Sequence, residues 1–312
     1  MTGETPAAGN SAALLSALRG RISRQVRGKS EVVDLALVCV LAGGHLLVED
    51  VPGVGKTTLG TALARAIGGS FRRVQFTSDL LPADILGFSI LEAGKVTFRQ
   101  GPLFANVVLA DELNRTTPRS QSALLEAMNE GQVSVDGVTH PLPSPFLVIA
   151  TQNPHEIHGT WPLPDSQLDR FLIRTAMGYP DRESERQVLR GESRTAAEEG
   201  AVTDAAGVSA LRGATNAVKV HADIEDYVLD LVTATRSAVS LARGASTRGA
   251  EALLRATKAL ALLSGREFAI VEDIRTLAVP VLAHRVIPRS ESGSDAAAAA
   301  IREILGTLKP PA

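Results

Sequence analysis

The stretch VEDVPGVGKTT, residues 48–58, decides how the rest of the chain is read. It follows a short apolar run, HLLV, with the texture of a buried parallel strand, and it leads into a segment of helical spacing that starts near Lys56. Strand, glycine loop and helix in that order is the setting in which the pattern G-x-x-x-x-G-K-[ST] cradles phosphate. Gly53, Val54 and Gly55 let main-chain N–H groups approach phosphate oxygens, and the helix N-terminus adds positive potential. Lys56 can reach the β and γ phosphates, and Thr57 can ligate Mg²⁺. The expected nucleotide-binding segment is Pro52, Gly53, Val54, Gly55, Lys56, Thr57 and Thr58. One position departs: Asp50 stands where the first glycine belongs. Because Asp tolerates left-handed backbone better than most residues, a working site is expected, with an extra negative charge beside the triphosphate.

Outward from this loop the alternation continues. RRVQF, VVLADE, FLVIATQN and FLIRTAM read as further strands separated by helical segments such as PRSQSALLEAMNEG, which predicts an α/β unit with a parallel sheet and helices on both faces. Two helices are expected before it, over residues 11–27 and 30–43, and two β-hairpins within it. One hairpin covers residues 88–100 and turns at Ala93-Gly94; the other covers 132–142 and turns at Asp136-Gly137. After Pro180 strand signals stop. A linking helix over 181–192 and a polar, alanine-rich connection over 194–207 lead to helical patterns through the C-terminus. The expected organisation is an α/β nucleotide-binding domain over 1–190 and an all-α domain over 191–312.

Ligands of such sheets bind at the carboxyl edge of the strands, and four segments are expected to bring polar groups there. The glycine loop is the first. The second is VVLADE, where Asp111 faces the metal and Glu112 an attacking water. The third is ATQNP, where Asn153 can hold that water or the γ phosphate; the fourth is arginine, Arg170 in LPDSQLDRF and Arg248 in GASTRGA. An Asp-Glu pair or an Asn before proline alone is an ordinary strand end or turn, and an isolated arginine is an ordinary surface ion pair. Their order along one sheet gives them a joint meaning. Positioned water, a metal and compensating positive charge are what phosphoryl transfer needs, and no second substrate pocket is marked.

Composition narrows the alternatives. The chain has 32 Lys plus Arg against 34 Asp plus Glu, a net charge of -2, which gives no global field for nucleic acid or an anionic membrane. The single cysteine, Cys39, cannot form an intrachain disulfide and lies in an apolar run, as expected of a buried small hydrophobe in a reducing compartment. The opening MTGETPAAGN lacks the marks of a secretory signal. The longest apolar run, residues 35–48, is shorter than the roughly 20 residues of a spanning helix and is broken by Gly43, Gly44 and His45. A cytoplasmic protein without a membrane span is expected. His155 and His158 lie close to Glu156, but two loop histidines are not expected to hold a metal.

VPGVGKTT, VVLADELNR, ATQNP, LPDSQLDRF and GASTR, in this order and at these spacings, resemble the MoxR family of AAA+ ATPases over about residues 12–305. RRVQFTSDLLPADILGF, with the hairpin and GPLFANVVLADE after it, resembles the insert in helix 2 that separates this family and its relatives from other AAA+ proteins. The resemblance implies an AAA+ P-loop core followed by a small all-α lid. Lys56 and Thr57 match Walker A, Asp111 and Glu112 match Walker B, and Asn153 matches sensor 1. Arg170 resembles the arginine finger, which acts on the nucleotide of the neighbouring subunit. Arg248 resembles the sensor 2 arginine, through which the lid senses the nucleotide held by the α/β domain, so that hydrolysis changes the angle between the two. Thr247 stands where the family often has proline and is expected to cap its helix. ATP and Mg²⁺ as cofactors, a homo-oligomer in the form of a hexameric ring, and chaperone-like remodelling or activation of partner proteins follow from the same resemblance. Those partners commonly carry a von Willebrand factor A domain or are metalloenzymes. Two other readings fit the residues: a nucleotide-dependent assembly scaffold with little hydrolysis, which Asp50 favours, and a nucleic-acid motor. The hairpins weigh against the motor, because only Lys95 and Arg99 supply them with cations.

Overall fold

The strand signals assemble into one five-stranded sheet in which every pairing is parallel, ordered β2-β5-β8-β1-β9. Its strands are β1 (Leu46–Glu49), β2 (Phe71–Gln75), β5 (Val107–Asp111), β8 (Leu147–Gln152) and β9 (Ile173–Thr175). The structure is a computed structural model that describes residues 8–51, 53–92, 94–153, 159–190, 200–289 and 293–311. Pro52, His155 and His158, and residues 194–199 of the polar connection over 194–207, lie outside the described residues.

Burial explains why the strands read as nearly continuous apolar runs. Val107 and Leu109 of β5, with Leu147 and Ile149 of β8, enter one apolar cluster; the alternate residues Val108, Ala110, Val148 and Ala150 enter another on the opposite face. A period of two with both faces covered leaves no polar position within the strand. Helix α5 (Pro118–Glu130) covers one face with Leu124, Leu125 and Met128. On the other lie α1 (Ala8–Gln25), α2 (Ser30–Ala42) and α3 (Lys56–Ala66).

Helix α2 is buried from Val32 onward on nearly all sides, through Val33, Leu37, Val38 and Leu41 to Ala42. A helix apolar all round belongs inside a protein, and here it is the element on which the C-terminal helices settle. These are α8 (Ala205–Ala217), α9 (Ala222–Ser237), α10 (Thr247–Leu263), α11 (Val271–Leu282) and α12 (Gly293–Thr307). Leu253 and Ala256 of α10, Leu277 of α11 and Ile301 of α12 belong to the same apolar cluster as α2 and the sheet. Arg212 of α8 donates from Nε to Val40 O at 2.8 Å, satisfying a carbonyl in the last turn of α2. One feature of the lid departs from the all-α expectation: β10 (Leu241–Arg243) and β11 (Ile287–Pro288) form a short antiparallel pair. Two or three residues carry too little alternation to be seen in a sequence.

The two hairpins form where expected, as β3 (Gly87–Glu92) with β4 (Lys95–Gln100), and β6 (Gln132–Val135) with β7 (Val138–Pro141). Asp136 and Gly137 take φ of 51° and 77°, the two left-handed positions that the tight hairpin turn requires. Phe98 of β4 stacks on His140 of β7 with ring centroids 3.9 Å apart, so the hairpins touch. Between α3 and the lid, α4 (Pro82–Leu86), α6 (Asp165–Leu168) and α7 (Arg182–Leu189) complete the helices.

Candidate functional site

In a parallel sheet all strands end at one edge and begin at the other. At the carboxyl edge, β1 passes through the glycine loop into α3, whose N-cap Gly55 has φ of 100°, while Gly53 has φ of 85°. Both angles are natural only to glycine. The first helical bond runs from Leu59 N–H to Gly55 O at 3.0 Å, so the preceding amides are left for a ligand at the positive end of the helix. Val54 is buried, while Thr57 and Thr58 are exposed. Lys56 Nζ donates to Asp50 O at 3.2 Å.

Asp50 is tolerated for a reason other than the one expected. Among the described non-glycine residues only Glu112 and Asp136 have positive φ, so Asp50 is not left-handed. Its carboxylate instead accepts from Val51 N at 2.8 Å and from Gly178 N at 2.5 Å, pinning the loop to the chain beyond β9. Two amide donors absorb the charge that appeared to threaten the phosphates.

Beside the loop, with β8 between, β5 delivers its acids. Asp111 Oδ1 accepts from Thr151 Oγ1 at 2.7 Å, and Oδ2 accepts from Arg73 Nη2 at 2.6 Å. Glu112 stands in the left-handed region with φ of 58°, a conformation costing about 1 kcal/mol in a non-glycine residue. Its N–H donates to Thr151 Oγ1 at 2.9 Å. The carboxylate accepts from Gln75 Nε2 at 2.7 Å and faces Arg115 Nε at 3.4 Å. Asn153 follows the last residue of β8 directly, at the same edge. Arg73 and Gln75, which hold the two acids, were not foreseen; alternate polar residues on one face of a strand are the signal that carries them.

Thr57 and Asp111 offer the hard oxygen donors that Mg²⁺ takes, and Glu112 directly follows Asp111 in sequence. The donor chemistry fits the ion, with Arg73 already neutralising one oxygen of Asp111.

The arginines stand elsewhere. Arg170 precedes β9, and Leu172 N donates to His45 O ahead of β1 at 2.9 Å, which puts this segment at the amino edge of the sheet. Arg170 Nη1 donates to Leu125 O near the end of α5 at 2.6 Å. Arg248, in the first turn of α10, faces Asp169 Oδ2 at 3.6 Å. Together with Asn129, Asp169, Glu251, Arg255 and Arg285 the two arginines line a cavity of about 440 Å³ between the sheet domain and the lid. The expectation that Arg170 and Arg248 share the carboxyl edge with the glycine loop is therefore corrected. Arg170 precedes a strand and Lys56 follows one, and that order alone separates them by the length of β1, about 13 Å. The helix cap is also corrected: Ser246 Oγ accepts from Gly249 N at 3.2 Å, and Thr247 is the first helical residue.

His45 locks the amino edge. Its Nδ1 accepts from Val148 N at 3.0 Å and its Nε2 donates to Met128 O at 3.0 Å, which defines a neutral tautomer. Burial lowers its pKa to about 4.

A parallel sheet of this order, with a glycine loop opening α3 and paired acids ending β5 two strands away, defines a P-loop nucleotide-binding protein of the AAA class. The family model described as ATPase family associated with various cellular activities (AAA) matches residues 45–173, and the AAA lid domain matches residues 233–304. Within that class the chain belongs to the MoxR family. It is 46% identical over 296 residues to the Bacillus subtilis protein YeaC, covering 93% of this chain and 92% of that one. It is 41% identical over 277 residues to Chaperone MoxR1 of Mycobacterium tuberculosis, covering 85% of this chain and 74% of that one. A crystal structure of a candidate ATPase from Cytophaga hutchinsonii superposes with a TM-score of 0.90 at 35% identity, covering 98% of this chain and 97% of that one. Among the described residues no helix is long and apolar enough to cross a membrane.

Proposed function

We propose that this chain hydrolyses ATP in sites shared between neighbouring copies and uses the cycle to remodel or activate partner proteins in the cytoplasm. The observation that carries the shared site is the separation of its parts. The glycine loop, Asp111, Glu112 and Asn153 stand at the carboxyl edge, while Arg170 and Arg248 line one cavity at the amino edge. Arginines so placed reach the nucleotide of an adjacent copy in a closed ring, here taken as a hexamer. In this reading Arg248 acts with Arg170 across the subunit boundary.

The residues divide the chemistry. Lys56 and the loop amides bind and orient the phosphates. Glu112 holds the attacking water, with Gln75 and Arg115 fixing its carboxylate, and Asn153 helps to place that water. Arg170 and Arg248 neutralise charge that develops on the phosphoryl group. Magnesium held by Thr57 and Asp111 would supply further neutralisation of the phosphates. Partner proteins with a von Willebrand factor A domain, or metalloenzymes, are the proposed clients, and the name Chaperone MoxR1 of the Mycobacterium tuberculosis relative supports a chaperone role.

Steady-state ATP hydrolysis against protein concentration, with Mg²⁺ present, tests this for the wild type and for Glu112→Gln. Specific activity is expected to rise with concentration, and the variant to lose at least about 100-fold while still binding nucleotide. A wild type that binds ATP yet matches the variant at every concentration would remove hydrolysis from the proposal.

A further inference from the structure

Arg285 is charged, lies after α11 in the lid, and has a side chain only 3% exposed. An arginine so buried needs partners for all five of its N–H donors, and it has them. Nε donates to Asp169 Oδ1 at 2.7 Å; Nη2 donates to Asp169 O at 3.1 Å and to Phe171 O at 2.7 Å. Nη1 donates to Leu172 O at 3.2 Å and to Val281 O in the last turn of α11. Four of these five acceptors belong to the segment that carries Arg170, on the far side of the boundary between lid and sheet domain.

Asp169 is divided between two arginines. Its Oδ1 is held by buried Arg285, while its Oδ2 faces exposed Arg248 at 3.6 Å. Arg170 follows it directly, so the backbone that Arg285 fixes at Asp169 O and Phe171 O brackets Arg170 on both sides.

We infer that Arg285 is a positioning residue: through Asp169 it sets Arg170 and Arg248 as one rigid pair facing the adjacent copy's nucleotide. The inference rests on the shared site proposed above. It makes the cavity a preassembled half-site in which lid and sheet domain move together, in place of the hinge between them that the sequence suggests. A lysine cannot substitute, because three donors radiating from one nitrogen cannot span a carboxylate and four carbonyls arranged around a planar fork.

The test uses the full-length chain and the variant Arg285→Lys. The turnover number is expected to fall at least tenfold, with KM and the dissociation constant of a fluorescent ATP analogue within twofold of wild type, because the loop at the carboxyl edge is untouched. Asp169→Asn, which keeps the side-chain shape, is expected to lose a similar factor, and the double variant little more, as for residues acting as one unit; it carries the test should Arg285→Lys fail to fold. Mixing Arg285→Lys with Lys56→Ala is expected to recover activity, since intact loops then meet intact arginines. Unchanged turnover in both single variants, or nucleotide binding weakened by the same factor as turnover, would overturn the inference. A mixture of Arg170→Ala with Lys56→Ala is the control. If it recovers activity while the Arg285→Lys mixture does not, the shared site stands and the positioning role falls; if neither recovers, the shared site itself falls.

Discussion

The two halves of the proposed site are built in opposite ways. At the carboxyl edge the glycine loop is made of backbone: Gly53 and Gly55 at positive φ, Lys56 held by one 3.2 Å bond, Thr57 and Thr58 exposed. At the amino edge the arginine cavity is made of side chains, with Arg285 tied to Asp169 and to the carbonyls of Phe171 and Leu172, and nearby His45 tied to Val148 N of β8 and Met128 O of α5. The loop leaves the amides ahead of Leu59 for a ligand and can adapt to it. The arginine wall has its scaffold already satisfied and, in the proposed shared site, would present its charges to a ligand held by another copy. In the proposed site, nucleotide binding and the water-holding acid thus share one surface and the charge-neutralising arginines occupy another, and substitutions should divide accordingly.

The sharpest way to break that comparison is Arg170→Ala, expected to lower turnover about 1000-fold without changing nucleotide affinity, as measured by steady-state hydrolysis beside equilibrium nucleotide binding. Lys56→Ala should do the reverse, weakening affinity by roughly 10- to 100-fold, since a hydrogen bond to a charged group contributes about 1.5–3 kcal/mol. Titration calorimetry with ATP would read it, and unchanged affinity would place the nucleotide elsewhere.

The amino edge should also be the acid-sensitive side. His45 has a folded-state pKa of about 4 against 6.5 in an exposed chain. A lowered pKa makes the unfolded state the better proton acceptor between these values, so the contribution is complete above pH 6.5 and is lost as pH falls toward 4. About 2 kcal/mol should be gone at pH 5. Denaturant unfolding at pH 7 and pH 5 checks this, and His45→Gln, which cannot titrate, should flatten that part of the dependence. The smallest effect is expected from Asp50→Gly. It removes the acceptor of two amide bonds and should cost about 1 kcal/mol of stability while changing nucleotide affinity less than about threefold. A large gain in affinity would return the Asp50 charge to the phosphates.

What could be read in advance followed from local chemistry. The strand HLLVE, the glycine loop and the helix from Lys56 declare themselves because a parallel strand covered on both faces has one composition and a phosphate loop has one pattern of glycines. The turn at Asp136-Gly137 was equally plain. What escaped depended on partners distant in sequence. The carboxylate of Asp50 is answered by Gly178, and Arg285 by the carbonyls around Arg170, and no local pattern marks a buried arginine whose acceptors are mostly backbone. The edge on which Arg170 stands was legible in principle, from its position just ahead of FLIRT.

The apolar cluster that runs from the sheet through α2 into α10, α11 and α12 sets terms for anyone who would divide this protein. Two family descriptions cover separate stretches of the chain, but α2 has no solvent-ready surface to offer once its C-terminal cover is gone. A fragment ending near residue 190 would carry the complete glycine loop and both acids and yet display a bare greasy cylinder to water. Such a fragment belongs in the insoluble fraction. Shuffling lids between relatives would succeed only where the helix beneath is exchanged along with them.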